Sequence, residues 1–360
     1  MEKGYLILET GDMFEGEWIG SERETSGEVV FNTSMTGYQE MMTDPSYAGQ
    51  ILAFCYPMIG NYGINQYDNE AFQPALSGVV MGELCEKPSH FQAAENFSDQ
   101  LDKAGIPGLT GIDTRALVKK IRELGTVKGV LSKNKAADQK LLAEMPPGVE
   151  EVSTKNILTF KNNGPHVVLM DYGYKKSILH ALLKENCSVT IVPYHMTLEQ
   201  LKTLKPDGVL FSNGPGDPMK LKERLPEIKK ISEYYPSLGI CLGHQLLALA
   251  HGAQTKKLSF GHRGGNHPVK EAETGKVFIT SQNHGYTVIE ESIPSSLFEV
   301  TFRNVNDKTV EGLQHMVHHI TTVQFHPEAH PGPSDTAYIF KSFIEKINPK
   351  AAGEISYAVK

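Results

Sequence analysis

The sequence predicts an α/β protein in which an N-terminal β-rich α/β domain precedes a doubly wound, mainly parallel-sheet domain. Short apolar runs separated by turn residues dominate the first third of the chain, which is typical of β structure. After about residue 166, strand and helix patterns alternate, which indicates a parallel sheet. A stretch rich in Pro, Gly and Asn separates the two patterns. We therefore expect a first domain over 1–145, a linker over 146–165 and a second domain over 166–350.

The first domain combines predicted strands with two predicted helices. YLILE and MFEGEWIG flank a Thr-Gly-Asp turn, a pattern typical of a β-hairpin. GEVVFNT and ALSGVVM are also predicted strands. Helices are expected at AENFSDQLDKAG and TRALVKKIRELG. In the second of these, Asp113 or Thr114 is the expected cap and Gly125 the expected stop.

The second domain is predicted from the regular alternation of strands and helices. The predicted strands are HVVLMDYG, SVTIVPY, DGVLFSNGPG and LGIC, and the helices between them include KKSILHALLKEN, TLEQLKTLK and GHQLLALAHG. A β-rich part from about residue 270 to 326 and a final helix, DTAYIFKSFIEKI, follow. In doubly wound sheets the site lies at the carboxyl ends of the strands. The loops DYGYK, SNGPGDP and GICLGHQ are therefore the segments in which to look for chemistry.

Composition excludes several classes of protein. The 360 residues are 40% hydrophobic and 21% charged, as in ordinary globular proteins. A net charge of −7 argues against nucleic acid as the main partner, because phosphate binding favours a basic surface. No run of about 18 apolar residues predicts a membrane span, and the acidic N-terminus does not resemble a signal peptide. The four cysteines form no C-x-x-C pair, so we expect a reducing, cytoplasmic setting.

The segment GICLGHQ, residues 239–245, is the strongest candidate for catalysis. G-x-C-x-G between a predicted strand and a predicted helix is the thiol counterpart of the G-x-S-x-G nucleophile elbow. The sharp turn presents Cys241, and the positive end of the following helix favours its thiolate form. The N–H of Leu242 is then expected to form half of an oxyanion hole. The alternative is a buried structural cysteine at a tight helix start.

A cysteine nucleophile needs a base, and the base needs an orienting partner. The segment TVQFHPEAHPGP supplies the best pair, His326 and Glu328. We expect Pro327 to keep the link extended, so that the two side chains project the same way. The alternative is a surface turn with a solvated histidine and glutamate. The stiff loop SNGPGDP, at 212–218, is expected to offer a second N–H group to the oxyanion hole. The alternative, which is commoner for such a loop, is an ordinary turn at the end of a strand.

These motifs together resemble a known family. GICLGHQ, SNGPGDP, QNHGY and FHPEA occur in this order in class I (triad) glutamine amidotransferases. FNTSMTGYQE, TDPSY and FGHRGGNHPV in addition resemble the small subunit of carbamoyl phosphate synthetase. The resemblance covers residues from about 1 to 345. The amidotransferase motifs are shared by several enzymes, whereas the N-terminal motifs distinguish the small subunit.

The resemblance implies a glutamine-hydrolysing subunit with a Cys-His-Glu triad. By it, Cys241 attacks the side-chain amide of L-glutamine, His326 acts as base and then acid, and Glu328 orients His326. It also implies oxyanion donors and glutamine contacts at Ser46, Gly214, Gly216, Leu242, Gln245, Asn283, Gly285 and Tyr286. With Ser46 in the first domain, we expect the glutamine site at the seam between domains.

The expected partner is a large synthetase subunit that forms a heterodimer, or a higher oligomer, with this chain. No G-x-x-x-x-G-K-[ST] loop is present, so no cofactor is expected in this chain, and ATP and Mg are expected on the large subunit. No metal site is expected either, because the histidines of HMVHH lie among predicted strands and turns. Two alternatives stay open: a free-standing thiol hydrolase or peptidase, and a non-catalytic partner of a synthetase. The sequence does not decide between the arginine and pyrimidine pathways.

Overall fold

The computed structural model describes residues 2–136, 139–143 and 147–348. The chain divides into two compact units. Of the described residues, those up to 148 together with 258–264 form unit 1, and 149–257 together with 265–348 form unit 2. Each unit is built around its own sheet and its own apolar core.

Unit 1 is a closed barrel of seven strands in the order β1-β2-β8-β6-β4-β3-β9, with a separate two-stranded pair, β5-β7. The strands are β1 (Lys3–Leu8), β2 (Met13–Gly20), β3 (Thr25–Asn32), β4 (Gln50–Phe54), β5 (Met58–Ile59), β6 (Gly78–Val80), β7 (Glu83–Leu84), β8 (Pro107–Thr110) and β9 (Lys128–Ser132). The helices are α1 (Tyr38–Thr43), α2 (Phe97–Lys103) and α3 (Thr114–Leu124), with 3-10 turns at Pro45–Tyr47 and Gln139–Ala143.

The local signals predicted in this part of the chain are confirmed. Strands β1 and β2 form the expected antiparallel hairpin. Helix α3 begins at the cap Asp113, whose carboxylate accepts the N–H of Ala116 at 2.9 Å, and ends at Gly125 with a φ of 80°. Closure into a barrel is not visible in the sequence, because it depends on pairings such as β3 with β9, which lie far apart in the chain.

Unit 2 contains a ten-stranded sheet in the order β10-β12-β11-β13-β14-β19-β18-β17-β15-β16. Its strands are β10 (Leu158–Phe160), β11 (His166–Asp171), β12 (Ser188–Pro193), β13 (Gly208–Phe211), β14 (Ser237–Ile240), β15 (Thr255–Glu271), β16 (Val277–Val288), β17 (Phe298–Asn304), β18 (Val310–His315) and β19 (Ile320–Val323). Its helices are α4 (Val149–Val152), α5 (Lys176–Lys184), α6 (Leu198–Leu204), α7 (Leu225–Tyr234), α8 (Leu242–Ala250) and α9 (Tyr338–Ile347), with 3-10 turns at Pro218–Arg224 and Glu290–Ser292.

The sheet of unit 2 is doubly wound around five neighbouring parallel strands, β12, β11, β13, β14 and β19. Alternate side chains of β11 project to opposite faces. Val167 and Leu169 pack in the cluster that contains α5 and α9, whereas Val168 and Met170 pack in the cluster that contains α6, α7 and α8. The sheet continues past β19 through antiparallel pairings. This confirms the predicted α/β class and gives a parallel part of five strands.

The segment expected to be a linker is structured where the chain is described. Residues 149–165 belong to unit 2, with helix α4 and with β10, which pairs antiparallel with β12. Residues 258–264, in the middle of β15, belong to unit 1, where Phe260 stacks on Phe31. The predicted boundary at 145/146 and the predicted end at 350 lie outside the described residues.

Across residues 2–136, 139–143 and 147–348, no helix combines the length and the apolar character needed to cross a membrane.

Candidate active site

Cys241 occupies a strained turn between β14 and α8. Its φ of 55° and ψ of −102° lie outside the region that L residues prefer. A Cβ at Gly243 would come within 2.1 Å of the Phe211 carbonyl oxygen, and one at Gly239 within 2.8 Å of the Gly243 oxygen. Only glycine fits at these two positions, so the G-x-C-x-G spacing is a steric requirement of the turn. The strain falls on the residue proposed as the nucleophile, where functional strain concentrates.

The segment that carries His326 follows the neighbouring parallel strand. Strands β14 and β19 pair in parallel, with Ile240 opposite Val323. The N–H of Cys241 donates to the Val323 carbonyl at 2.9 Å, and the N–H of His326 donates to the Ser281 carbonyl at 2.9 Å. Two loops that are 85 residues apart in sequence therefore leave the same edge of the sheet side by side.

His326 and Glu328 form a close buried pair. The ring nitrogen Nδ1 of His326 lies 2.6 Å from Oε1 of Glu328, and both side chains are almost completely inaccessible to solvent. The expected extended link through Pro327 is wrong. The backbone turns here, and the Ala329 N–H donates to the His326 carbonyl at 3.1 Å. The turn brings the carboxylate back to the ring, so the pair forms by a different backbone path.

The charges of the pair stabilise each other. Burial and the charge of Lys175 both lower the pKa of the His326 ring, but the Glu328 carboxylate and the Cys241 side chain together outweigh them and raise this pKa well above its usual range. Burial likewise disfavours the carboxylate, but the charges of Lys175 and His326 outweigh it and lower the pKa of Glu328. The favoured state at neutral pH is an imidazolium beside a carboxylate.

Lys175 is a member of the site that sequence analysis missed. Its Nζ lies 3.3 Å from Oε1 of Glu328 and donates to the Ala329 carbonyl at 2.5 Å. The side chain is 2% exposed, which is unusual for lysine outside a paired site. Its backbone N–H donates to Oδ1 of Asn213, which ties the loop after β11 to the loop after β13. The only signal was the unusual loop DYGYK, which does not show what its lysine contacts.

Replacing Lys175 with methionine is expected to destabilise the fold strongly. The variant keeps the volume of the side chain but leaves the buried Glu328 carboxylate without its lysine partner, and breaking a buried pair costs about 3–5 kcal/mol. Lys230→Met is the matched control, since Lys230 lies 3.3 Å from Glu227 in an exposed pair. Urea denaturation of both variants compares their free energies of unfolding. Equal midpoints for the two variants would contradict the role assigned to Lys175.

The thiol of Cys241 lies beside His326 and close to the backbone of β16. It is among the groups that raise the pKa of His326, and its sulfur is 3.7 Å from the Asn283 carbonyl oxygen. The second ring nitrogen of His326, Nε2, is buried and has no hydrogen-bond partner within the described chain. Catalytic hydrogen bonds are often open before substrate binds. The ring is therefore held from its Nδ1 side with Nε2 available for proton transfer.

The two predicted oxyanion donors are neighbours. Leu242 is the first residue of α8, where helix geometry leaves its N–H without an intrahelical acceptor. A Cβ at Gly214 would lie 2.9 Å from the Leu242 side chain and 2.2 Å from the Tyr172 carbonyl oxygen. Glycine at 214 is thus required for the loop after β13 to approach the start of α8. Their assignment as oxyanion donors stays a prediction.

The residues predicted to contact glutamine fall into two groups. In unit 2, the Gln245 amide donates to the Tyr286 carbonyl at 2.9 Å and to Oε1 of Gln324 at 3.0 Å. Asn283 and Gly285 lie on the same strand as Tyr286, and Gly216 lies in the loop after β13 with a φ of 87°. In unit 1, Ser46 is buried in a 3-10 turn, and its N–H donates to the Asp44 carboxylate at 2.9 Å. Their contacts with glutamine stay predictions.

The other cysteines and the HMVHH segment differ from the site. Burial raises the pKa of the Cys55 thiol to about 11 and that of Cys187 to about 12, so both are held in the unreactive form. In HMVHH, Nδ1 of His315 accepts the backbone N–H groups of Val317 and His318 at 3.1 and 3.0 Å. That ring nitrogen therefore serves to hold a turn.

Two family models match the chain, one in each half. The model described as "Carbamoyl-phosphate synthase small chain, CPSase domain" matches residues 6–131. The model described as "Glutamine amidotransferase class-I" matches residues 168–346, the part that contains Cys241, His326 and Glu328. The second model by itself covers about half of the chain.

Relatives match over the full length. The arginine-specific carbamoyl phosphate synthase small chain of Halalkalibacterium halodurans is 52% identical, covering 99% of this chain and 100% of the relative. The carbamoyl phosphate synthase small chain of Listeria innocua is 52% identical, covering 99% of each chain. The pyrimidine-specific small chain of Halalkalibacterium halodurans is 50% identical, covering 95% of this chain and 96% of the relative. Sequence identity to the arginine-specific relative, 52%, and to the pyrimidine-specific relative, 50%, is nearly equal, so identity does not assign this chain to either pathway.

Proposed function

The chain belongs to the family of carbamoyl phosphate synthase small chains, and from this premise we propose that it releases ammonia from L-glutamine through a Cys241 thioester. The observation that carries the proposal is the buried set of Cys241, His326 and Glu328 at one edge of the sheet. A thiol in a strained elbow beside a histidine held by a carboxylate is the arrangement that nucleophilic acyl transfer requires.

The first half of the reaction forms the thioester. The Cys241 thiol first gives its proton to Nε2 of His326. The sulfur then attacks the side-chain amide carbon of glutamine, and the carbonyl oxygen becomes an oxyanion. The N–H groups of Gly214 and Leu242 stabilise that oxyanion. Nε2 of His326 then donates its proton to the amide nitrogen, the C–N bond breaks, and ammonia leaves. A γ-glutamyl thioester remains on Cys241.

The second half regenerates the enzyme. His326 takes a proton from water as the water oxygen attacks the thioester carbonyl, and the same oxyanion site is used again. The C–S bond breaks, glutamate leaves, and Cys241 returns to its thiolate beside the imidazolium. Glu328 and Lys175 take no proton in this scheme, since they hold the ring and balance its charge.

Ser46, Gly216, Gln245, Asn283, Gly285 and Tyr286 are proposed to bind the rest of the glutamine molecule. A large synthetase chain is the proposed partner that receives the ammonia and makes carbamoyl phosphate from bicarbonate and ATP. ATP and Mg are proposed to bind on that chain, with no cofactor on this one. Support comes from the name shared by the relatives, which designates a small chain of a synthase.

Glutaminase activity that depends on the partner tests the proposal. The purified chain is expected to hydrolyse glutamine slowly, and the rate is expected to rise when the co-purified large chain, ATP and bicarbonate are added. Glutamate and ammonium release are measured in both conditions, alongside peptide and ester substrates. Faster cleavage of peptides or esters than of glutamine would favour a free-standing thiol hydrolase. No hydrolysis in either condition would favour a non-catalytic partner.

A further inference from the structure

A row of buried polar side chains lies along β16 and ends at the proposed glutamine-binding segment. Glu311, on β18, accepts a hydrogen bond from Nε2 of Gln282 at 3.0 Å. Oε1 of Gln282 lies 3.0 Å from Nε2 of His284, and Nδ1 of His284 lies 2.8 Å from the Tyr286 carbonyl oxygen. Glu311, Gln282 and His284 are 0%, 1% and 5% exposed, so the row is inside unit 2.

The end of the row coincides with the site. The Tyr286 carbonyl receives the His284 ring and also the Gln245 amide, at 2.9 Å. Side chains alternate along a strand, so Gln282 and His284 project away from the face to which Asn283 projects. The Asn283 carbonyl oxygen lies 3.7 Å from the Cys241 sulfur. The row therefore reaches the backbone of the segment 283–286 at the Tyr286 carbonyl, in the strand whose Asn283 carbonyl oxygen lies next to the sulfur.

The polarity of the row is fixed at Glu311. A carboxylate only accepts hydrogen bonds, so it requires the NH₂ end of the Gln282 amide to face it. The same NH₂ group lies 3.3 Å from Oγ1 of Thr280. The amide oxygen then faces Nε2 of His284, and the Tyr286 carbonyl oxygen faces Nδ1, so the ring donates to both oxygens when it carries both of its protons. Each member thus sets the orientation of the next, and buried networks of this kind are strongly coupled.

We propose that Gln282 and Glu311 are positioning residues for glutamine binding, acting through His284 on the Tyr286 carbonyl and so on the strand segment that holds the substrate. In the scheme above, neither residue contacts the substrate. This inference rests on the proposed function, because it concerns the same glutamine site.

The test is the steady-state kinetics of glutamine hydrolysis by the full chain in complex with its large partner. Gln282→Met keeps the side-chain length and removes both amide bonds of the row. It is expected to raise KM for glutamine about ten-fold, with kcat within about two-fold, since uniform binding is lost and the thiol chemistry is not. Gln314→Met is the matched control. Gln314 lies on β18, the strand that also carries Glu311, and its amide donates to the Ile320 carbonyl at 3.0 Å. Gln314 is outside the row.

Glu311 provides a second, milder probe. Glu311→Gln keeps an oxygen that accepts from Gln282 but no longer forces the amide orientation, so KM is expected to rise about three-fold. Glu311→Leu removes the acceptor and is expected to match Gln282→Met. Because both residues act through one row, the double variant Gln282→Met/Glu311→Leu should raise KM no more than the worse single variant. A variant that only lost stability would contain less active enzyme, which lowers the apparent kcat. It would not raise KM while kcat stayed nearly constant.

Several outcomes would overturn the inference. They are an unchanged KM in Gln282→Met and in Glu311→Gln, an equal rise in Gln314→Met, or a fall in kcat with constant KM. A rise in KM in the double variant that equals the product of the rises in the two single variants would also contradict action through one row. The wild-type complex, assayed in parallel, separates the two claims. If it hydrolyses glutamine and the variants match it, only this inference fails, whereas absence of hydrolysis in the wild type overturns the proposed function and this inference together.

Discussion

Replacing Cys241 with serine is expected to abolish carbamoyl phosphate synthesis from glutamine while leaving synthesis from ammonium intact. Serine retains the shape of the elbow, but its hydroxyl is a far weaker nucleophile than the thiolate at neutral pH. Loss of the nucleophile is expected to lower the glutamine-dependent rate by about 10³-fold or more. In the proposed function the large chain needs only ammonia from this subunit, so added ammonium is expected to bypass the defect.

The measurement is product formation by the Cys241→Ser complex with each nitrogen source. Glutamine binding is expected to survive, because the proposed contacts do not include the sulfur. Failure with both nitrogen sources in an intact complex would mean that this chain does more than deliver ammonia. Full activity with glutamine would mean that Cys241 is a structural residue, whatever the strain of its φ of 55°.

His326→Asn is expected to be more damaging than Glu328→Gln. The first change removes the group proposed to transfer protons, and loss of such a group typically costs about 10²- to 10⁴-fold in rate. The second keeps a hydrogen-bonding partner 2.6 Å from Nδ1 and removes only its charge. Comparing kcat for the two folded variants checks the order. A larger loss in Glu328→Gln would contradict the roles assigned to the two residues.

The same pair predicts a change in pH dependence. The Glu328 carboxylate raises the pKa of His326, so the wild-type ring keeps its proton into alkaline solution. Without that charge the proton is lost at lower pH, and an opposite charge at this distance is worth about 1–3 pH units. The alkaline limb of kcat/KM should therefore move to lower pH in Glu328→Gln. An alkaline limb at the same pH in both proteins would show that the carboxylate does not set the pKa of His326. The limb reports the titration of the coupled pair as a whole.

Local patterns predicted much of this protein because local sterics create them. The elbow at Cys241 was visible because only glycine fits at Gly239 and Gly243. The cap Asp113 and the stop Gly125 were visible because helix ends need them. The alternation of strands and helices predicted the doubly wound sheet, and with it the edge at which the thiol and the histidine meet.

Long-range contacts could not be predicted in the same way. Lys175 reaches the Ala329 carbonyl across 154 residues, and nothing in DYGYK shows that its lysine is buried. Gln282 and Glu311 are 29 residues apart on different strands, so their bond depends on sheet order. The turn between His326 and Glu328 was missed because proline is compatible with both extended and turn conformations. In each case tertiary packing, which one local pattern does not contain, decided the outcome.

The most direct test of the central claim is to trap the γ-glutamyl thioester on Cys241. The complex is mixed with glutamine and quenched in acid during turnover, and the cysteine-containing peptides are examined by mass spectrometry. We predict a γ-glutamyl adduct on the peptide that contains Cys241 and on none of those that contain Cys55, Cys85 or Cys187, and we predict no thioester in Cys241→Ser. Turnover of glutamine with no adduct on Cys241, or with the adduct on another cysteine, would contradict the account.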